Sequence, residues 1–158
     1  MEPDVCLECG FEWGQAIETA IETVGGAVEL FASIVSQSAT RSSDPGNWSA
    51  IGYLWHVVDV LRLGTERLWA IELEPGSTVP GWDQELLATV RHYEELSTTV
   101  GLKALDRAAQ DWLTAATAAD PAGYVMHPSL GKVSGRYSIL RNAHEVVHHA
   151  RDAVNSSA

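Results

Sequence analysis

A short stretch late in the chain collects the side chains best suited to bind a metal. Residues 142–152 hold His144, His148 and His149 together with Glu145 and Asp152. On a helix, residues four apart lie on the same face, so one histidine pair (His144 with His148) and one mixed pair (Glu145 with His149) would form. Imidazole and carboxylate ligands at this spacing suit a divalent metal, zinc first, with nickel or cobalt as alternatives. A third ligand must come from elsewhere.

The third ligand is predicted to be His56, which lies in an earlier helical segment. Facing helices of a bundle commonly supply the ligands of an interior metal site. At about 100° per residue, His56 lies away from the apolar stripe of its helix and shares a polar face with Asp59. The stripe itself consists of Ile51, Leu54, Val58 and Leu61.

The last helix presents a similar polar face. Glu145, His149 and Asp152 are turned away from its apolar stripe, as His56 is on its own helix. This shared orientation favours the mixed pair as the partners of His56, although the spacing of the histidine pair is equally suitable. Asp152, and Asp59 on the other helix, would then orient the ligating imidazoles, because metal-bound histidines usually hydrogen-bond to a carboxylate through their second nitrogen.

Both cysteines lie in the segment Cys6-Leu7-Glu8-Cys9-Gly10. This turn is typical of half a zinc knuckle, and it also fits a redox-active pair or two reduced thiols with no special role. Its spacing would allow a structural Cys₂His₂ zinc site with His144 and His148. A helix of about 25 residues spans nearly 40 Å, however, so Cys6 is expected to lie far from His56 unless the N-terminal arm folds back.

Composition limits the possible classes of protein. The 158 residues carry a net charge of −11 with only ten Lys and Arg, which argues against nucleic acid or an anionic membrane as a partner. No apolar run approaches the roughly 20 residues of a transmembrane helix. The first residues lack the features of a signal peptide, so a cytoplasmic location is expected. The length suggests one domain over residues 1–158, with residues 1–10 as an N-terminal arm.

Helical periodicity predicts an all-α four-helix bundle with long connecting loops. The first helix is expected from about residue 11 to 37, with a bend or a close helix contact at Gly25-Gly26, and a loop follows over 36–47. The second is expected from a cap at Asn47 or Ser49 to about residue 72. The third begins near residue 82, is interrupted at Gly101 and continues to about 119. After a loop over 122–135, the fourth helix is expected over 134–155.

Two sequence features carry a resemblance to a known family. Asn47-Trp48-Ser49, followed by Gly-Tyr-Leu-Trp-His ending at His56, and the His/Glu cluster of the last helix resemble the DinB/YfiT-like superfamily. This superfamily includes mycothiol-dependent maleylpyruvate isomerases and related thiol S-transferases. The resemblance implies a four-helix bundle with a metal between its second and fourth helices, held by His56, Glu145 and His149. The Cys-x-x-Cys-Gly-Phe opening is not general to the family.

The resemblance favours a metal-dependent enzyme that activates a small-molecule thiol of the mycothiol type. It would be an S-transferase or a thiol-dependent isomerase acting on a small-molecule substrate. A hydrolase that activates water is the second possibility, because an open metal site also makes hydroxide available at neutral pH. The third is a non-enzymatic metal-binding or interaction protein with a structural zinc. Trp13, Trp69 and Trp82 would be available to pair two copies in a homodimer.

Overall fold

A computed structural model describes residues 4–38 and 47–156 of the protein. Its elements are α1 (Ile17–Gly25), α2 (Ala27–Gln37), α3 (Ala50–Leu73), α4 (Gln84–Arg91), a 3₁₀ turn (Tyr93–Glu95), α5 (Thr98–Ala118), β1 (Tyr124–His127), β2 (Gly131–Ser134) and α6 (Gly135–Asn155). The loop predicted over 36–47 lies largely outside the described residues.

Four helical columns form the bundle, and the predicted architecture is confirmed. The long helix α3 packs against both α5 and α6, while α1 packs on α6 and α2 packs on α5. The pair α1 and α2 thus acts as one bent column, with α3, α5 and α6 as the other three. The side chains fully buried between the columns include Phe31, Leu54, Leu61, Leu68, Leu105, Trp112 and Ile139.

The first column differs from its prediction in where it begins. A continuous helix from residue 11 was expected, but α1 begins at Ile17, and α1 and α2 meet at Gly26 with a bend of 45°. The expected bend is therefore present. Residues 4–16 form a tight loop closed by a bridge between Val5 and Glu12. This segment continues past the arm predicted over residues 1–10, and it is called the N-terminal arm below. Among the described residues, each helix by itself falls short of the length and apolar character of a membrane span. Only the bent pair of α1 and α2, counted as one segment, reaches both.

Side-chain caps fix where four of the helices begin. The hydroxyl of Ser49 accepts a hydrogen bond from the Gly52 N–H and starts α3, which confirms the predicted cap. Ser134 does the same for α6, and Asp83 and Ser97 cap α4 and α5. Such caps satisfy N–H groups that have no partner within the helix. Since the caps set the first residue of α3 and α6, they also set the direction of every later side chain on these helices.

The predicted interruption at Gly101 is wrong. Gly101 lies inside α5, and a Cβ there would be 2.8 Å from a methyl carbon of Leu54 and 3.1 Å from the Trp55 indole nitrogen. The glycine is therefore explained by the close approach of α5 to α3. The actual break lies at His92, which ends α4 in the left-handed conformation with φ 53°.

A short antiparallel hairpin occupies most of the predicted loop over 122–135. Strands β1 and β2 pair Val125 with Val133, and both valines are buried against Ile71 and Val79 in a small second core. Two strands of four residues are too short to show a clear alternation in the sequence, which explains why a loop was expected. The hairpin leads directly into α6 and so helps to position the last helix.

Candidate metal centre

His56 lies in the most deeply buried part of α3. Every residue from Ala50 to Leu61 is buried except Ile51, which is half-buried, so this part of the helix is surrounded on all sides. The polar face predicted for His56 therefore points into the protein. The imidazole is fully buried, and neither ring nitrogen has a hydrogen-bond partner among the described residues. An unpaired buried polar group is costly, so this ring requires an explanation.

Glu145 and His149 reach the same point from α6. The Glu145 Oε2 atom lies 3.0 Å from Nε2 of His149 and 3.6 Å from Nε2 of His56. One potential ligand atom from each of the three residues lies within 4.8 Å of the other two. The structure thus brings together the three residues that were singled out from the sequence. Their role as metal ligands stays a prediction.

The electrostatics of the cluster suit metal binding. Burial lowers the pKa of His56, which keeps this imidazole neutral. Burial alone would raise the pKa of Glu145, but the hydrogen bond from His149, the nearby His56 imidazole and the charge of Arg141 outweigh it and hold this pKa well below its ordinary value. The Arg141 guanidinium donates to Glu145 Oε1 over 2.6 Å. An ionised carboxylate beside a neutral imidazole is the protonation state that a divalent metal requires.

The two aspartates expected to orient the imidazoles have different environments. Asp152 lies 3.1 Å from Nδ1 of His149, which leaves the Nε2 atom of this ring facing Glu145. Asp59 makes no hydrogen bond to His56 among the described contacts, so that part of the prediction is wrong. Three residues after His56, the Asp59 carboxylate is turned toward the end of α4 and the 3₁₀ turn that follows it. There it accepts hydrogen bonds from Tyr93 over 2.6 Å and from Arg91.

Aromatic rings enclose the imidazoles, an arrangement that no sequence pattern had indicated. Trp48 and Trp82 lie 5.0 and 5.6 Å from the His56 ring, and Tyr53 stacks on His149 at 5.5 Å. Trp82 was predicted to serve a contact between two chains, whereas here it covers His56. Both tryptophans lie outside the helices, where no periodicity indicates the direction of a side chain. The rings exclude water from one side of the cluster.

A cavity of about 420 Å³ opens beside Glu145. Its wall combines apolar side chains with two cations, Arg67 and Arg141, and it also includes His127 and Tyr137. Arg67 contacts the His127 ring and a backbone carbonyl, both at 3.4 Å. Among the residues that the structure describes, no carboxylate lies within ion-pair distance of Arg67. In a protein with a net charge of −11, this cation is well placed to bind an anion.

A second cluster lies on the neighbouring side of α6. Cys6, Cys9, His144 and His148 also place one potential ligand atom each within 4.8 Å of the others. Cys6 was expected to lie far from His56 unless the N-terminal arm folds back, and the arm does fold back onto α6, where Cys6 Sγ lies 3.7 Å from His148 Nδ1. The histidine pair therefore faces the arm, whereas the mixed pair faces His56.

The pKa values of the ionisable groups in this second cluster are shifted in different directions. A hydrogen bond from the Cys9 backbone N–H is the main reason that the pKa of Cys6 falls to about 7, while burial raises the pKa of Cys9. Burial lowers the pKa of His144 to about 4. At neutral pH the cluster therefore combines a neutral imidazole with a thiol that ionises readily, as metal ligands must.

The protein is thus a helical bundle with a histidine–glutamate–histidine cluster beside an open cavity. The chain belongs to the DinB superfamily, whose sequence profile matches residues 21–153. The resemblance seen in the sequence is thus confirmed. Cys6 and Cys9 precede the matched residues.

One solved structure establishes the fold independently. It is YfiT from Bacillus subtilis, described as a probable metal-dependent hydrolase with an unusual four-helix bundle topology. The two structures align with a TM-score of 0.78 over 95% of this chain and 87% of that one, at 11% sequence identity. No curated protein matches the chain significantly.

Proposed function

We propose that this protein is a metal-dependent enzyme in which His56, Glu145 and His149 hold a divalent metal, zinc in the first place and nickel or cobalt as alternatives. The observation that carries the proposal is the His56 ring, which is fully buried with no hydrogen-bond partner for either nitrogen in the described chain. Its Nε2 atom faces an ionised carboxylate and a second imidazole. A bound cation would satisfy all three groups together.

A metal held by three protein ligands has coordination positions left for a small molecule, and it supplies a nucleophile at neutral pH by favouring the ionised form of a thiol or water molecule. Around it, the side chains of this protein have separate tasks. Arg141 keeps Glu145 ionised through their 2.6 Å contact. Asp152 holds the His149 ring in place, and Trp82 shields the His56 ring from water.

The first candidate activity is transfer of a small-molecule thiol, or an isomerisation assisted by one. The cavity beside Glu145, at about 420 Å³, is within the usual size range of small-molecule sites and has room for an electrophile next to a thiol group. We propose that Arg67, which has no carboxylate partner among the described residues, binds an anionic group of the substrate. A small anionic electrophile and a mycothiol-type thiol are the expected reactants.

Hydrolysis is the second candidate activity. It is favoured by the description of YfiT, which shares this fold, as a probable metal-dependent hydrolase. In that case the activated nucleophile is water, and no thiol is consumed. The same three ligands and the same arginine would serve either reaction, so the two activities differ only in which nucleophile is used.

Metal binding can be tested without knowing the substrate. We expect purified protein to bind zinc at the site of His56, and we expect His56→Ala to lose that ion while keeping its helical circular dichroism signal. His92→Ala is the matched control, because the His92 side chain is 68% exposed and lies outside the cluster. Equal zinc content in the wild type and both variants would refute the proposed ligands.

The reaction can be tested with a panel of small electrophiles that carry a carboxylate, each mixed with a small thiol. Metal-dependent loss of free thiol supports transfer, and metal-dependent product formation without thiol supports hydrolysis. If neither reaction occurs with any electrophile of the panel, a non-enzymatic metal-binding protein is favoured. Arg67→Gln should raise KM about 10- to 100-fold with little change in kcat, because a charge-assisted hydrogen bond contributes roughly 1.5–3 kcal/mol. Arg107→Gln, on the exposed face of α5, is the control.

A further inference from the structure

The second cluster has the composition of a complete zinc site. Two thiols and two imidazoles are the ligand set of a structural Cys₂His₂ site, and both spacings, two residues between the cysteines and three between the histidines, are common for zinc. In a tetrahedral site, ligand atoms lie about 3.3–3.8 Å apart, given zinc distances of about 2.0–2.3 Å. The separation of 3.7 Å between Cys6 Sγ and His148 Nδ1 falls in this range. The full set of four atoms lies within 4.8 Å.

The His144 ring supplies an independent indication. The residue is only 7% exposed, and neither of its ring nitrogens has a hydrogen-bond partner in the described part of the chain. Phe11 and Trp13 of the N-terminal arm pack against this ring with centroid distances of 5.3 and 4.8 Å. Aromatic packing satisfies the carbon atoms of an imidazole but not its nitrogens. A cation between His144 and the two thiols would satisfy one of them.

His148 is oriented as a metal-binding histidine usually is. Its Nε2 atom lies 3.2 Å from a Glu8 carboxylate oxygen and 3.5 Å from an Asp152 oxygen, which leaves Nδ1 facing Cys6. A carboxylate on the second ring nitrogen fixes the tautomer and makes the free nitrogen a better ligand. Glu8 lies between the two cysteines in the sequence, so the arm that provides the thiols also orients this imidazole.

The backbone of the arm holds the two cysteines in a preformed turn. The Gly10 N–H donates to the Cys6 carbonyl over 2.8 Å, and the Cys6 N–H donates to the Phe11 carbonyl over 2.8 Å. Gly10 has φ +74°, a conformation that other residues rarely adopt, and it therefore allows the chain to reverse directly after Cys9. Both thiols are free in the structure.

We propose that Cys6, Cys9, His144 and His148 bind a zinc ion of their own, which fastens the N-terminal arm to α6. All four positions of a tetrahedral zinc would be filled by protein, so this site is structural and takes no substrate. It is separate from the three-ligand centre and does not depend on the function proposed for that centre. The two sites use neighbouring residues of α6: His144 is followed directly by Glu145, and His148 is followed directly by His149.

Cobalt substitution of the intact protein tests the proposal directly. Two thiolate ligands give bound cobalt an intense near-ultraviolet charge-transfer band, whereas a site made of imidazole and carboxylate lacks it. We expect this band in the wild type and in His56→Ala, and its loss in the double variant Cys6→Ser, Cys9→Ser. In zinc-loaded His56→Ala, X-ray absorption should show sulfur at about 2.3 Å together with nitrogen at about 2.0–2.1 Å.

The outcomes separate this proposal from the proposed function. A thiolate band that survives His56→Ala supports the structural site even if the three-ligand centre binds nothing. Metal bound without any sulfur ligand would overturn the structural site and leave the other centre intact. Thiol reactivity of the unmodified protein covers the case in which the double variant does not fold. Zinc should protect the two thiols from an alkylating reagent, and a chelator should expose them. Equal alkylation rates with zinc and with the chelator, or a disulfide that forms in the presence of zinc, would refute the site.

Discussion

Asp152 is the residue at which the two proposed metal sites meet, and replacing it with asparagine tests both. Its Oδ2 atom lies 3.1 Å from Nδ1 of His149 and 3.5 Å from Nε2 of His148. One carboxylate therefore contacts an imidazole of each cluster. The change Asp152→Asn keeps the size of the side chain and removes its charge, so it weakens both contacts without creating a cavity.

The expected size of the effect follows from these contacts. Loss of a carboxylate that orients a metal-bound histidine typically lowers metal affinity about 10- to 100-fold, which corresponds to about 1.4–2.7 kcal/mol. The larger effect is expected at the three-ligand centre, where Asp152 alone contacts Nδ1 of His149 among the residues with described contacts. A smaller effect is expected at the cysteine site, because Glu8 also holds His148 at 3.2 Å.

Competition between the protein and a chromophoric chelator for zinc measures each affinity. The cysteine site is read in a His56→Ala background, and the three-ligand centre is read in a background with both cysteines changed to serine. Asp111→Asn is the matched control, since Asp111 pairs with Arg107 on the exposed side of α5. An Asp152→Asn protein that is folded and binds zinc at the three-ligand centre within twofold of its parent would refute the reasoning.

Three further predictions concern stability. Tyr93→Phe should lower the free energy of unfolding, measured with urea, by about 1.5–3 kcal/mol, because it removes a buried hydrogen bond to the Asp59 carboxylate. An unchanged urea midpoint would contradict this. Gly135→Ala should lower the free energy of unfolding by about 1–3 kcal/mol in the same assay, since its Cβ would clash with the backbone carbonyl of Asp120. Gly14→Ala, whose Cβ would have nothing within 4 Å, should leave this free energy unchanged. The free energy of unfolding of the metal-free protein should fall by about 2 kcal/mol from pH 7 to pH 5. The reason is that His144 has a pKa of about 4 in the folded protein, so the unfolded chain takes up a proton there near the ordinary pKa of 6.5 while the folded chain does not. Unfolding curves that do not change with pH over this range would refute the prediction.

The parts of the site that could be predicted are those that depend on helical periodicity. Because residues four apart share a face, the spacing of Glu145 and His149 was enough to predict that they act together, and their orientation relative to the apolar stripe pointed to His56. The number of helices follows from the same periodicity. Proximity within a helix is a local property, which explains why a single sequence reveals it.

What could not be predicted depends on contacts between distant segments. The return of the arm to α6 joins Cys6 to a residue 142 positions later, and no local pattern encodes it. Trp48 and Trp82 cover His56 from loops, where the direction of a side chain is set by tertiary packing. The position of Asp59 was predicted, but its partners were not, since Arg91 belongs to the short helix α4 and Tyr93 reaches Asp59 only after the chain turns at His92.

The fold-back of the N-terminal arm has a consequence for biosynthesis. A ribosome makes Cys6 and Cys9 early, yet the helix against which they lie emerges only after almost all the rest of the bundle has been translated. During that interval the thiols have no docking surface and are open to oxidation. Docking of the N-terminal arm onto α6 closes a loop that contains most of the chain, and this costs conformational entropy. It should therefore be among the final steps of maturation. Zinc supply and redox conditions during synthesis would then decide how much of the newly made protein reaches its finished form.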